Sequence, residues 1–336
     1  MNGVERIGRT DAWVSALDVI LKCSAVKQPV VHPFFGILEG MFRSATLNGV
    51  RRPAQVTLAA VVCVFGLGLP AAAQPSVEAA SLMTTPVHLF QGSRQISQGT
   101  GFFFGIPNAS NVIDTVFLVT NYHVITGNSP NTSLAARGDR IAFYLHTRRD
   151  DPSQVKQVFL PLYSTAGTPL WEQSQDHPEA DLVLVPLPPE AYRDIEMYVF
   201  TDEFTRGRIR IRPTSQATLL GYPYGFSDTV NRLPIWKTGH VASEPEVDFR
   251  GTPSFLVDVS AFPGMSGSPV LAVANGVYEA DDGVFRSGKV LRLLGVFSAM
   301  PVIRSDNPSI ADTSLQLGIV WKSSLIAELA RAYRPR

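Results

Sequence analysis

From about Thr85 onward the chain alternates short apolar runs with clusters of Gly, Pro, Asn and Asp. The runs include Gly101-Phe102-Phe103-Phe104-Gly105, Thr115-Val116-Phe117-Leu118-Val119-Thr120 and Arg140-Ile141-Ala142-Phe143-Tyr144-Leu145. Asp181-Leu182-Val183-Leu184-Val185, Ala217-Thr218-Leu219-Leu220-Gly221, Phe255-Leu256-Val257-Asp258-Val259 and Val290-Leu291-Arg292-Leu293-Leu294-Gly295-Val296-Phe297 follow. Runs of this length, rich in β-branched and aromatic residues and bounded by turn formers, predict an all-β sandwich or barrel. Only the end reads as helix: Ser323-Ser324-Leu325-Ile326-Ala327-Glu328-Leu329-Ala330 has apolar residues at helical spacing and a serine to cap them. No repeat of 20–50 residues is visible.

A change of composition divides the β-rich part. The stretch from Pro186 to Pro213 is rich in proline and charge and reads as a connector. The predicted organisation is a β-barrel over 74–187, a connector over 188–213, and a second β-barrel with a terminal helix over 214–336. Arg206, Arg208, Arg210 and Arg212 alternate within the connector. They suit an anion-binding stripe or, more simply, the solvated face of one strand, since period-2 spacing sends alternate side chains to one side.

The segment before residue 74 follows another logic. Arg51 and Arg52 precede the apolar stretch from Val56 to Leu69, followed by Pro70 and Ala71-Ala72-Ala73. A positive flank, a short hydrophobic run and an A-x-A site make a secretory signal peptide, predicted to be cleaved after Ala73. The run is shorter than the roughly 20 apolar residues a membrane span needs, so no stable span is expected after cleavage. Residues before Met41 make an unusually long lead for such a signal, and initiation at Met41 would account for it. The prediction is thus an exported protein, periplasmic or secreted, with residues 1–73 removed or in part never made.

Composition narrows the function. The chain has 29 basic and 29 acidic residues, so it lacks the excess cations that a phosphate backbone requires, and no nucleic-acid partner is expected. Its only cysteines, Cys23 and Cys63, leave with the signal segment. The remaining chain can form neither a disulfide framework nor a cysteine metal site and must be stabilised by its core. His88, His146, His177 and His240 show no metal-ligand spacing with carboxylates and read as structural; no cofactor is expected.

Three segments carry chemistry, each weak alone. Val119-Thr120-Asn121-Tyr122-His123-Val124 delivers His123 at the end of an apolar strand, a rigid place for a general base. Ala180-Asp181-Leu182 opens an apolar run with an acid, and a buried carboxylate needs a partner such as a histidine N–H. Pro263-Gly264-Met265-Ser266-Gly267-Ser268-Pro269 flanks Ser266 with glycines, permitting a tight turn that gathers the N–H groups of Gly264 and Ser266 into an oxyanion hole. It is not the nucleophile elbow of α/β-hydrolases, because residue 268 is serine and no helix follows.

In this order and on these elements the segments resemble the trypsin-like (chymotrypsin-fold) serine peptidases, of a bacterial type without a PDZ domain. Gly99-Thr100-Gly101-Phe102-Phe103, Gly221-Tyr222-Pro223 and Gly295-Val296-Phe297-Ser298 extend the resemblance, which runs from about Pro86 to Ala330. It implies two six-stranded β-barrels with a site between them, a C-terminal helix, and an endopeptidase acting on protein or peptide substrates. His123, Asp181 and Ser266 would be catalytic, and the N–H groups of Gly264 and Ser266 the oxyanion hole. The family pattern places Ser260 at the base of the primary substrate pocket and Ser298 and Met300 on its wall, implying a small or medium uncharged side chain at the cleavage site. Met265 stands where trypsin-like zymogens carry an aspartate, so activation by a newly cut N-terminus is not expected. A retired protease scaffold serving as a binding module, or an esterase with the same three residues, would share this sequence pattern.

Overall fold

The computed structural model describes residues 77–108, 112–206, 208–303 and 313–335. The predicted signal peptide and both cysteines lie outside these residues. A short helix, α1 (Ala79–Leu82), leads into β1 (Thr84–Gln91), β2 (Arg94–Pro107) and β3 (Ile113–Thr120). Helix α2 (Tyr122–Thr126) follows at once, then β4 (Arg140–His146), β5 (Val155–Pro161) and β6 (Val183–Pro186). These six strands form one antiparallel sheet in the order β5-β4-β1-β2-β3-β6. Between its edge strands, Leu162 and Leu170 share a backbone bond, and Glu172 exchanges two with Leu184 on β6.

Helices α3 (Pro189–Tyr192) and α4 (Asp202–Thr205) lie in the proline- and charge-rich stretch. The second half contains β7 (Gln216–Gly221), β8 (Ile235–Val241), β9 (Ser254–Asp258), β10 (Pro269–Glu279), β11 (Phe285–Phe297), the short pair β12 (Val302–Ile303) and β13 (Thr313–Ser314), and β14 (Leu317–Lys322). Six of them close a barrel in the order β10-β11-β14-β9-β8-β7. Helix α5 (Ser323–Ala332) ends the fold. The architecture is the two-part, mostly β, chymotrypsin-like fold implied by the resemblance.

The apolar runs are explained by burial on both faces. On β2, Phe102 and Phe104 face the cluster shared by the two halves, while Phe103 points into the first sheet. On β3, Phe117 and Val119 take the first direction and Val116 and Leu118 the second; Leu184 and Val185 divide in the same way on β6. Alternate side chains of a strand leave on opposite sides, so a strand covered on both sides reads as a continuous apolar run. The shared cluster also takes Leu220, Leu271, Leu293, Val296 and Trp321 from the second half and Leu325 and Ile326 from α5. A third cluster, with Leu219, Phe255, Val257, Met265 and Val270, fills the closed barrel.

Two local expectations change. Ser323 does not cap α5: Lys322 occupies that position without a side-chain cap, and Ser323 is the first helical residue and buried. The arginine series forms no ladder. Helix α4 ends beside Arg206, whose guanidinium pairs with Asp202, while Arg210 and Arg212 converge on Glu279 of β10. All four arginines still face solvent while Ile211 between them is buried.

Candidate active site

Strand register joins two of the three segments. β3 and β6 run antiparallel with Thr120 opposite Val183, so the residues after β3 meet those before β6. His123 lies not at a bare strand end but in the first turn of α2, where buried Tyr122, Val124 and Ile125 pin the helix. Its ring stays half-exposed, and the helix closes on Gly127, whose N–H donates to the His123 carbonyl (2.9 Å). Nδ1 lies 2.6 Å from Asp181 Oδ2, and the His123 backbone N–H donates to Oδ1 at 3.0 Å. An ionised carboxylate only accepts, so this contact places the proton on Nδ1 and leaves Nε2 with its lone pair in the neutral ring.

Asp181 is 7 % exposed, and its carboxylate accepts three hydrogen bonds. Besides His123, the Ser298 hydroxyl donates to Oδ2 at 2.6 Å, and the Asn121 side-chain amide donates to the Asp181 carbonyl at 2.5 Å. Burial acts to raise the carboxyl, but the hydrogen bond and charge of His123, with the Ser298 hydroxyl, outweigh it and hold Asp181 below its ordinary value. The base candidate is therefore oriented by an acid that stays ionised through neutral pH.

Ser266 comes from the second half, on the turn between β9 and β10. The turn needs glycine on both sides: Gly264 has φ +95° and Gly267 φ +88°, the left-handed region that other residues enter at a cost. A Cβ on Gly264 would lie 2.4 Å from the Tyr222 carbonyl oxygen, so the neighbouring loop also forbids a side chain. Met265 is fully buried in the barrel core, an apolar anchor where the resemblance would place a carboxylate. Peptide planarity sets the direction of the two N–H groups. The Pro263 carbonyl accepts from Tyr224 N–H (2.6 Å) and the Met265 carbonyl from Ser268 N–H (3.0 Å). In a trans peptide the following N–H points the opposite way, so Gly264 and Ser266 turn theirs outward. Among the described residues neither N–H has an acceptor.

The nucleophile turn and the helix bearing His123 meet at β2. A Cβ built on Gly99 would touch the Val124 side chain at 2.6 Å and the Ser266 carbonyl at 3.1 Å, so both lie against one backbone position. Ser266 is half-buried and its hydroxyl has no hydrogen-bond partner among the described residues. His123 and Asp181 are thus in direct contact, and the backbone of the Ser266 turn lies against the same β2 position as the His123 helix. No hydrogen bond joins the Ser266 hydroxyl to His123 among the described residues.

The expected substrate pocket fares differently. Ser260 is exposed to solvent rather than enclosed as a pocket floor. Ser298 is 4 % exposed and turns its hydroxyl to Asp181, so its side chain supports the acid instead of forming a wall. Met300 is partly buried against the second barrel's core. Exposed aromatic residues border the turn instead: the Tyr224 and Phe262 rings meet at 6.0 Å, with the Lys237 ammonium 4.8 Å from the Phe262 ring centre. The histidines read as structural lie outside the site. His146 bonds the Asn231 carbonyl (2.8 Å), His88 packs edge-on to Tyr144, His177 sits beside Glu179, and His240 is exposed on β8.

The sequence reading missed the roles of Ser298 and Asn121 because no local pattern marks a residue that reaches another strand's acid. Ser298 is legible in the sequence as the residue that follows a strand, where the resemblance implies a pocket wall.

The profile of the trypsin-like peptidase domain matches residues 99–278, more than half of the chain and all three segments. The chain belongs to the trypsin-like peptidase family. Among solved structures, this trypsin-like peptidase resembles the serine endoprotease from Yersinia pestis at 15 % identity and a TM-score of 0.39, over 76 % of this chain and 66 % of that one. It therefore spans just under two thirds of the Yersinia chain. Rv3671c protease in its inactive form is 16 % identical over 77 % of this chain and 92 % of that one, with a TM-score of 0.39. A serine-to-alanine mutant of Rv3671c from M. tuberculosis H37Rv is 17 % identical over 79 % and 94 %, with a TM-score of 0.38. A search of curated protein sequences returns no match.

Proposed function

We propose that this trypsin-like peptidase is an exported serine endopeptidase that cleaves peptide bonds through an acyl-enzyme. The observation that carries the reading is the 2.6 Å contact between His123 Nδ1 and the buried Asp181 carboxylate, with the backbone of the Ser266 turn against the same Gly99 position as the His123 helix. That contact orients a base whose free Nε2 can take a proton, a costly arrangement for a histidine with no chemical task.

Ser266 Oγ attacks the scissile carbonyl as its proton passes to His123 Nε2, and Asp181 stabilises the imidazolium. The oxyanion is received by the outward N–H groups of Gly264 and Ser266. The imidazolium then protonates the leaving amine, whose departure leaves an ester on Ser266. Water, deprotonated by His123, attacks the ester, and collapse releases the acid product and the free hydroxyl. Substrates are proteins or peptides, and export follows from the arginine-flanked apolar segment before Gln74.

A fluorophosphonate probe tests the reading. The purified protein should be labelled covalently, with the adduct mapped to Ser266, and should cleave casein whether or not it also hydrolyses a short-chain ester. No labelling would favour a non-catalytic binding scaffold, and ester turnover without proteolysis would favour an esterase. N-terminal sequencing of the exported form is expected to begin at Gln74; a retained leader would remove the export assignment.

A further inference from the structure

Thr100, on β2 of the first sheet, is completely buried and hydrogen-bonded through every polar group it has. Its backbone N–H donates to the Ser266 carbonyl (2.8 Å), and its hydroxyl donates to the Gly264 carbonyl (2.7 Å) while accepting from Tyr222 N–H (3.2 Å). Its own carbonyl accepts from the Thr120 hydroxyl (2.6 Å), three residues before His123. Its ladder partner on β1 is Pro86, which has no N–H to offer. One residue of the first half therefore holds the carbonyls of both residues whose N–H groups face outward, and is tied to the strand that delivers His123.

The bond to Gly264 has a particular consequence. Glycine rotates about φ and ψ with little steric bias, so its neighbouring peptide planes must be fixed from outside. The plane before Gly264 is held by Tyr224 N–H at the Pro263 carbonyl. The plane after it is held by the Thr100 hydroxyl at the Gly264 carbonyl and by Met265 N–H at the Phe262 carbonyl (3.1 Å). Without the hydroxyl, the buried Gly264 carbonyl and the Tyr222 N–H both lose a partner, and rotation to find new ones would swing the Gly264 N–H away.

We propose that Thr100 is a positioning residue for the oxyanion hole: its hydroxyl clamps Gly264 across the seam between the halves and thereby fixes transition-state stabilisation without touching substrate. The inference rests on the peptidase reading above. Fixed donors act on charge that develops only in the transition state, so loosening them should lower turnover more than binding.

The test compares Thr100→Val, which keeps shape and loses the hydroxyl, with Thr100→Ser, which keeps the hydroxyl. Thr100→Val is expected to lower kcat about 10- to 100-fold, below the 10²–10³ cost of deleting a donor outright, with KM changed less than about threefold. It should weaken a peptide boronate, which forms the tetrahedral adduct, by a similar factor and leave the affinity of a cleaved product peptide unchanged. Thr100→Ser should restore most of the turnover. A merely structural role would lower thermal stability in step with activity, weaken boronate and product peptide alike, and show no rescue by serine. Either that pattern or undiminished kcat in Thr100→Val overturns the proposal. If the valine variant is too unstable to assay, Thr100→Cys, a weak donor of similar size, should show the same split to a smaller degree, and an even loss there overturns it. A wild-type protein that neither reacts with fluorophosphonate nor cleaves casein would instead remove the peptidase reading, and this inference with it.

Discussion

The two halves hold their parts of the site by different physics. In the first half, His123 and the buried Asp181 are fixed by contacts to one carboxylate, from the imidazole and the His123 backbone N–H and from the Ser298 hydroxyl that the second half contributes. In the closed barrel, Ser266 is placed by backbone shape, through two left-handed glycines and a turn whose carbonyls are captured by neighbouring chain. A defect in the first cluster should therefore show as altered charge and pH dependence. A defect in the turn should show as lost turnover with the pH profile intact.

The largest break is at the nucleophile. Ser266→Ala should lower kcat by on the order of 10⁴–10⁶ with circular dichroism and melting unchanged, and wild-type turnover in the purified variant would end the assignment. Asp181→Asn follows: an amide can offer its N–H to Nδ1 and favour the wrong tautomer, so a drop of about 10⁴ is expected. On the barrel side, Gly264→Ala sets a methyl against the Tyr222 carbonyl and strains a left-handed residue. Turnover should fall about 10²–10³-fold, while the pH at half-maximal kcat/KM stays put. A shifted profile in this variant would contradict the division of labour.

Ser298→Ala tests the support of the acid. Because Asp181 titrates lower folded than unfolded, its contribution to stability is complete above the ordinary carboxylate value of about 4 and fades as the pH falls through the lower folded value. Removing one donor should raise the folded value toward the unfolded one, so the acid-dependent loss of stability becomes smaller and is complete at a higher pH. A stability cost of about 1.5–3 kcal/mol by urea unfolding at pH 7 is expected, with kcat reduced only about tenfold.

The smallest effect lies away from the site. His88 and His146 are both pushed down by burial, with Arg232 adding to the effect at His88. The unfolded chain takes up these protons near pH 6.5 and the folded chain resists, so stability falls as the pH drops below about 6.5. His146→Gln, whose side-chain amide can still donate to the Asn231 carbonyl, should flatten the slope by at most about 1.4 kcal/mol per pH unit, read from urea midpoints at pH 7.5 and 5.5. An unchanged slope would exclude His146 from it.

Much of this molecule is legible in one dimension. The apolar runs mark their strands because β2, β3 and β6 are covered on both faces, and the isolated Asp181 before such a run marks a carboxylate that must find a partner. Gly264 and Gly267 stand out because only glycine tolerates a left-handed turn at those positions. Helix α2 was less legible: five residues carry too little periodicity to separate them from the end of β3. The arginine series shows the same limit, since solvent exposure fixed its alternation while pairing to Asp202 and Glu279 fixed its backbone.

Local chemistry, then, settled what lies next to what along the chain: which runs are strands, where turns require glycine, and which three groups could do acyl chemistry. Folding alone decided that Ser298 spends its hydroxyl on Asp181 rather than on substrate, that Ser260 faces water, and that Thr100 reaches 164 residues along the chain to hold Gly264. The reason is range. Strand propensity and turn geometry act over a few residues and leave their mark in the sequence. A hydrogen bond across the seam depends on how two halves distant in sequence pack together, and no neighbouring residue records that.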